Sequence, residues 1–159
     1  MPDDRKLREQ LIALLDGGHA HATFDSAVRG FPVDQAGKRP KGLPYSAWEL
    51  LEHMRIAQND IVRFSVSAEY KSPQWPEGYW PPSPAPEKES AWARSVRAIR
   101  KDRGEFQALL RDPEQDLDRP FPWGDGQTLL REALLIADHN AYHIGQLVLV
   151  RRLLGLWSK

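Results

Sequence analysis

The sequence predicts an all-α fold, a four-helix bundle formed by a single domain over residues 1–159. Four long segments place apolar side chains three and four residues apart, which is the spacing of one helix face. None of the chain shows the strict alternation of apolar and polar residues that is typical of a strand. Loops rich in proline and glycine separate the segments and are long enough to allow crossover connections between helices.

The first helix is predicted over residues 3–28. Its apolar stripe consists of Leu7, Leu11, Leu14 and Leu15. Gly17 and Gly18 interrupt this pattern, and such a pair marks either a helix end or a close contact with a neighbouring helix. We expect the helix to continue through both glycines, because residues this small let a second helix approach closely.

The second helix is predicted over residues 46–68 and begins at a capping box. Ser46 is expected to accept a hydrogen bond as the N-cap, and Glu49, three residues later, to bond back to the Ser46 amide. His53 follows Leu50 by three residues and therefore lies on the apolar stripe of this helix.

Residues 70–86 are predicted to form a long loop, because six prolines exclude a regular helix there. The loop is also rich in large rings, with Trp75, Tyr79 and Trp80. A loop of this kind either packs over the bundle as a lid or presents a surface to a partner. We favour packing, since long loops in compact domains are commonly held down by their own side chains.

The third and fourth helices are predicted over residues 86–111 and 128–156, with Thr128 as the N-cap of the fourth. The fourth helix is mostly apolar, but it carries His139 and His143 where a bundle helix ordinarily repeats leucine or valine. These two residues stand one turn apart on the same face, with Cβ atoms roughly 6 Å apart, so both imidazoles can reach one ion.

The composition excludes several classes of function. The 22 basic and 22 acidic residues balance, and no basic stripe stands out, which argues against nucleic-acid binding. The chain has no cysteine, so a metal ion here must be bound by nitrogen or oxygen ligands. The first residues lack the apolar region of a signal peptide, and no apolar run approaches the roughly 20 residues of a membrane span. We therefore expect a cytoplasmic protein that does not bind membranes.

The spacing of the histidines leaves two interpretations open. Three inward imidazoles, from His53, His139 and His143, are expensive to bury without partners, and one shared cation would satisfy all three. Alternatively, each histidine packs separately and bonds a backbone carbonyl or a carboxylate. His19 and His21, two residues apart on a helix, point to different faces, so at most one of them can face such a site.

Two stretches carry these three histidines, SAWELLEHMRIAQNDI around His53 and HNAYHIGQLVLVRRLLG from His139 onwards. Together they resemble the DinB/YfiT-like superfamily, and the similarity extends over nearly the whole chain. The resemblance implies a four-helix bundle in up-down-down-up order, with a divalent metal ion bound by His53, His139 and His143. Some members of the family are transferases or isomerases that use low-molecular-weight thiols, and others are described as metal-dependent hydrolases. No motif in this chain selects one of these activities.

A site with three protein ligands keeps an open coordination position, which is the catalytic arrangement. Imidazole ligands suit several divalent ions, of which zinc or nickel is expected here. Glu49 and Asp60 lie on the same helix face as His53 and are candidates to orient it through its other ring nitrogen. Trp123 and Tyr142 are candidates to line the cavity. No residue is identified as catalytic.

Three hypotheses about function remain open from the sequence. The first is a metal-dependent enzyme, a thiol-dependent transferase or a hydrolase, acting on a small molecule such as a low-molecular-weight thiol. The second is a non-catalytic metal-binding or stress-response protein. The third is an interaction module that uses the Trp/Pro-rich segment 73–86. A homodimer is also expected, from the resemblance and from aromatic residues beyond what one small core needs.

Overall fold

A computed structural model describes residues 3–157 of the chain. Its α-helices are α1 (Arg5–Asp16), α2 (Phe24–Val28), α3 (Ala47–Val66), α4 (Glu89–Arg111) and α5 (Leu129–Leu153). No β-strand occurs within the described range, so the prediction of an all-α bundle is confirmed. None of the helices between residues 3 and 157 combines the length and the apolarity needed to cross a membrane.

Hydrogen bonds between segments indicate how the helices α1, α3, α4 and α5 run relative to one another. The contacts join Arg8 to Leu110, Ser95 to Glu52, and Trp123 to Phe64. The first links the start of α1 to the end of α4, so these helices run antiparallel. The second links the first halves of α3 and α4, which run parallel. The third links the segment before α5 to the end of α3, so these two run antiparallel. The directions are consistent with the expected up-down-down-up order.

The predicted first helix is two helices in the structure, so the prediction that it continues through Gly17 and Gly18 was wrong. The helix α1 ends at Asp16, and both glycines have positive φ values of 72° and 90°. A left-handed conformation ends an α-helix, and glycine adopts it without the steric penalty of a Cβ atom. The chain then turns, and Thr23 caps α2 by accepting a hydrogen bond from the Ser26 amide at 3.0 Å.

The predicted starts of the second and fourth helices are confirmed. Ser46 Oγ accepts from the Glu49 amide at 3.2 Å, and the Ser46 amide donates to Glu49 Oε2 at 2.7 Å, which completes the capping box of α3. Thr128 Oγ1 accepts from the Arg131 amide at 3.1 Å at the start of α5. These caps fix where each helix begins and therefore which residues face the interior.

The core consists of two hydrophobic clusters separated by polar side chains. On α5, Ile136 belongs to one cluster and Ile144 to the other, and His139, Asn140 and His143 lie between them. The side-chain nitrogen of Asn140 donates to the side-chain oxygen of Gln58 on α3 at 2.8 Å. The side-chain nitrogen of Gln58 in turn donates to the backbone carbonyl of Ile99 on α4 at 2.7 Å. A hydrogen-bonded polar layer thus crosses the bundle where α3, α4 and α5 meet.

Candidate metal centre

The structure brings His53 of α3 together with His139 and His143 of α5. One ring nitrogen of each residue lies within 4.8 Å of the others, and Nε2 of His53 is 3.0 Å from Nε2 of His139. The three ring centroids are 4.4 to 4.9 Å apart. His53 and His143 are buried, and His139 is partly exposed. His139 and His143 lie one turn apart and therefore share one face of α5. The antiparallel packing of α3 against α5 places His53 opposite them.

Hydrogen bonds to the outer ring nitrogens fix the tautomers of two of these histidines. Nδ1 of His53 faces the backbone carbonyl of Tyr79 at 2.8 Å, and Nδ1 of His143 faces Oε1 of Gln146 at 2.7 Å. Because both oxygens only accept, each Nδ1 carries the proton, and each Nε2 keeps its lone pair. Such bonds to the outer nitrogen are the usual means of orienting a histidine that binds a metal ion.

The donor set fits a divalent ion. Two zinc–nitrogen bonds of about 2.0–2.1 Å at a tetrahedral angle place their nitrogens about 3.3 Å apart. The closest pair, His53 Nε2 and His139 Nε2, lies at 3.0 Å, and the set as a whole spans 4.8 Å. Small side-chain shifts therefore suffice to bring all three nitrogens to one ion. Without an ion, a direct hydrogen bond between His53 and His139 requires that one of these two facing nitrogens carry a proton.

The environment favours neutral imidazoles, which is the form that binds metal ions. Burial lowers the pKa of His139 to about 4, helped by the nearby His53, and burial together with the nearby His139 lowers the pKa of His143 to about 4. The pKa of His53 is lowered by burial as well, against the opposing effect of its bond to the Tyr79 carbonyl. At neutral pH, each of the three imidazoles is therefore neutral, and binding of a metal ion requires no net loss of a proton.

The loop of residues 70–86, the aromatic loop, packs against the histidine cluster through two consecutive residues, Tyr79 and Trp80. The indole of Trp80 stacks on the His53 ring with centroids 4.0 Å apart and planes 3° from parallel. The Tyr79 hydroxyl donates to Oδ2 of Asp60 at 2.6 Å. The expected packing of the loop thus holds for its second half, whereas Trp75 is 71% exposed. Sequence spacing gave no signal for these contacts, since they join a loop to a helix far away in the chain.

Glu49 completes the capping box as predicted, but it does not orient His53. Its carboxylate binds the Arg39 guanidinium, with Nε at 2.9 Å, and it also accepts from the Ser46 amide. The outer nitrogen of His53 is taken by the Tyr79 carbonyl, so the prediction that Glu49 or Asp60 bonds His53 directly was wrong. Asp60 is connected to His53 through Tyr79, whose hydroxyl donates to Asp60 and whose carbonyl faces Nδ1 of His53.

The other predicted residues divide between the cluster and the far end of the bundle. The ring of Tyr142 packs against His143 at 5.0 Å but is 65% exposed, so it borders the cluster from outside. Trp123 donates to the Phe64 carbonyl at 2.8 Å and lies near the end of α3, so it does not line this site. His19 and His21 are exposed in the turn after α1, outside the cluster.

Comparison with known proteins decides the family. A model of the DinB superfamily matches residues 18–147. The chain belongs to the DinB superfamily. Neither a curated protein nor a solved structure gives a significant match to it. The range matched by the DinB model contains His53, His139 and His143, the residues that the structure brings together and that could hold a metal ion.

Proposed function

We propose that this protein binds a divalent metal ion, zinc or nickel, through His53, His139 and His143. We further propose that it is a metal-dependent enzyme, a thiol-dependent transferase or a hydrolase, whose substrate is a small molecule. The observation that carries the proposal is the convergence of three largely buried imidazoles from two helices, two of them with Nε2 lone pairs fixed by their outer hydrogen bonds.

The number of ligands supports catalysis over a purely structural role. Closed structural zinc sites use four protein ligands, whereas catalytic sites use three and keep one position open. A bound divalent ion would act as a Lewis acid that lowers the pKa of a bound water or of a substrate thiol. A thiol would have to come from the substrate, since the chain has no cysteine.

The surrounding side chains would control access to the site. Trp80 covers one face of the His53 ring and keeps water from that side. His139 is the most exposed of the three histidines, and the exposed ring of Tyr142 lies next to the cluster. A substrate would therefore approach from the His139 side, between the outer surface of α5 and the aromatic loop.

A non-catalytic metal-binding protein is the second candidate. The observation that favours it is burial, because His53 and His143 are only 5% and 7% exposed. An ion there would join α3 to α5 and stabilise the bundle without meeting a substrate.

The two candidates separate in one experiment. The protein is purified without added metal, its metal content is measured, and zinc- and nickel-loaded samples are tested for transfer of low-molecular-weight thiols and for hydrolysis of esters and amides. Turnover that disappears after chelation and returns with metal supports the enzyme. Stoichiometric metal with no turnover over the whole panel supports the second candidate. A chain that binds no divalent ion contradicts both.

A further inference from the structure

A groove of about 430 Å³ lies between the first halves of α3 and α4 and is bounded by loop residues 80–85. This volume falls within the range of small-molecule sites, roughly 300–1,000 Å³. Its apolar lining includes Trp48, Ile56, Trp80, Pro81, Ala91 and Ala98. Trp80 is shared with the metal centre, because the same indole stacks on His53. The indole of Trp80 therefore borders both the groove and the histidine cluster.

The buried acidic side chain in this lining, Glu52, already has hydrogen-bond partners. Glu52 is 8% exposed, and its carboxylate accepts two hydrogen bonds from Arg55 at 2.9 Å and one from the Ser95 hydroxyl. Its charge is balanced, and both of its oxygens have partners. A cationic group of a ligand would therefore gain little from Glu52.

Two guanidinium groups in the lining, those of Arg55 and Arg94, have more N–H donors than their hydrogen bonds to protein groups use. Arg55 bonds Glu52 through Nε and Nη2, which leaves part of its five-donor fork for another acceptor and holds the fork in place. Arg94 on α4 donates to the hydroxyl of Ser90 at 2.9 Å, a neutral acceptor. No carboxylate within residues 3–157 forms a salt bridge with Arg94, which lies next to Ser95 on the opposite wall from Arg55.

We propose that this groove binds a small molecule with an apolar, ring-sized body and one carboxylate. The body packs against the indoles of Trp48 and Trp80, and the carboxylate accepts hydrogen bonds from Arg55 and Arg94. Glu87, exposed at the loop end of the groove, is the remaining negative charge in the lining and opposes an anion. Binding itself does not depend on the metal; only the identification of the ligand as the substrate rests on the proposed function.

The test compares two probes of the same shape on metal-free protein, 1-naphthaleneacetate and its neutral amide, 1-naphthaleneacetamide, by titration calorimetry. The acid should bind about tenfold more tightly than the amide, because hydrogen bonds to charged groups are the stronger ones. Arg94→Gln should reduce this difference clearly, since only Arg55 then remains to bind the carboxylate, and Glu87→Gln should strengthen binding of the acid. Arg97→Gln is the matched control, since Arg97 is exposed on the same helix but lines a different groove.

Ala98→Leu narrows the groove without changing its charge and should weaken both probes alike. Equal affinity for acid and amide, an Arg94→Gln variant that keeps the difference, or binding of neither probe at millimolar concentration would overturn the proposal. Because the protein is free of metal throughout, a negative result leaves the metal centre intact. Conversely, a chain that binds the acid but no metal ion retains the groove and loses the proposed function.

Discussion

The backbone carbonyl of Tyr79 lies 2.8 Å from Nδ1 of His53, so a loop residue determines which nitrogen of that histidine carries the proton. The next residue, Trp80, stacks on the same ring. The Tyr79 side chain is tied to α3 through its hydroxyl, which donates to Asp60 two turns after His53. The aromatic loop therefore holds His53 from two sides, and Asp60 anchors the loop.

Tyr79→Phe should weaken metal binding although Tyr79 binds no metal itself. The variant removes the bond to Asp60 and frees the loop that orients His53, while the backbone carbonyl remains. Loss of a group that orients a metal-binding histidine typically costs about 10- to 100-fold in affinity, and we expect the lower end here. Competition with a chromophoric chelator measures the change.

Two further variants separate this effect from general destabilisation. Asp60→Asn keeps an oxygen that accepts from Tyr79 and should retain most of the affinity. Tyr142 also packs against the histidine cluster, but it does not take part in the hydrogen bond between Tyr79 and Asp60. The Tyr142→Phe variant should therefore bind metal with the affinity of the parent protein. Equal affinity of Tyr79→Phe and the parent protein would show that the loop does not position His53.

The metal-free protein should lose stability as the pH falls from 6.5 towards 4. The pKa values of His139 and His143 are lowered to about 4 in the folded chain from the ordinary value of 6.5. Between these values the unfolded chain binds more protons, so each step down in pH favours unfolding. Above pH 6.5 both states are neutral at these groups, and the contribution is constant.

The double variant His139→Ala/His143→Ala is the reference for this effect in urea unfolding near pH 7 and near pH 5. Glu132 and Asp102, whose pKa values are raised by burial, act in the opposite direction but are present in both proteins and cancel. The parent should lose more stability than the double variant between the two conditions. Parallel losses would mean that the pKa values of these histidines are not lowered in the folded chain.

Gln58→Leu should destabilise the bundle by about 1–3 kcal/mol even though leucine is apolar and similar in size. Gln58 is 1% exposed, and the substitution leaves the Ile99 carbonyl and the Asn140 amide without their partner in the polar layer. Chemical denaturation measures the difference. A neutral or stabilising effect would show that the polar layer contributes nothing to stability.

We expect a homodimer that forms through the outer face of α5. Four large apolar residues remain between 42% and 65% exposed along it, namely Leu134, Tyr142, Leu149 and Leu153. Leu149→Arg should shift the protein towards monomer in sedimentation velocity at micromolar concentration. Leu14→Arg, at a similarly exposed leucine on α1, should have no effect. A parent protein that is monomeric under these conditions would contradict the expectation.

Local sequence signals predicted the helix starts and the inward positions of the histidines. Ser46 and Thr128 cap helices through side chains only a few residues away, so the sequence contains the whole interaction. His53 could be placed on the interior face because its neighbours repeat with the helix period.

Features that depend on packing or on long-range contacts could not be predicted. The first helix was expected to continue through Gly17 because so small a residue allows a close helix contact, but a positive φ ends the helix there. Glu49 was expected to orient His53, but its carboxylate binds the guanidinium of Arg39, which lies in the loop before α3. The role of Tyr79 arises from a contact between residues 26 positions apart, which no periodicity encodes.

The most direct test of the three-histidine metal centre is the metal content of matched variants purified identically. The parent and His19→Ala, whose histidine is exposed outside the cluster, should each retain about one divalent ion per chain. His53→Ala, His139→Ala and His143→Ala should each lose most of it, because two neutral ligands hold a divalent ion weakly. Full metal retention in His53→Ala would contradict the three-histidine centre.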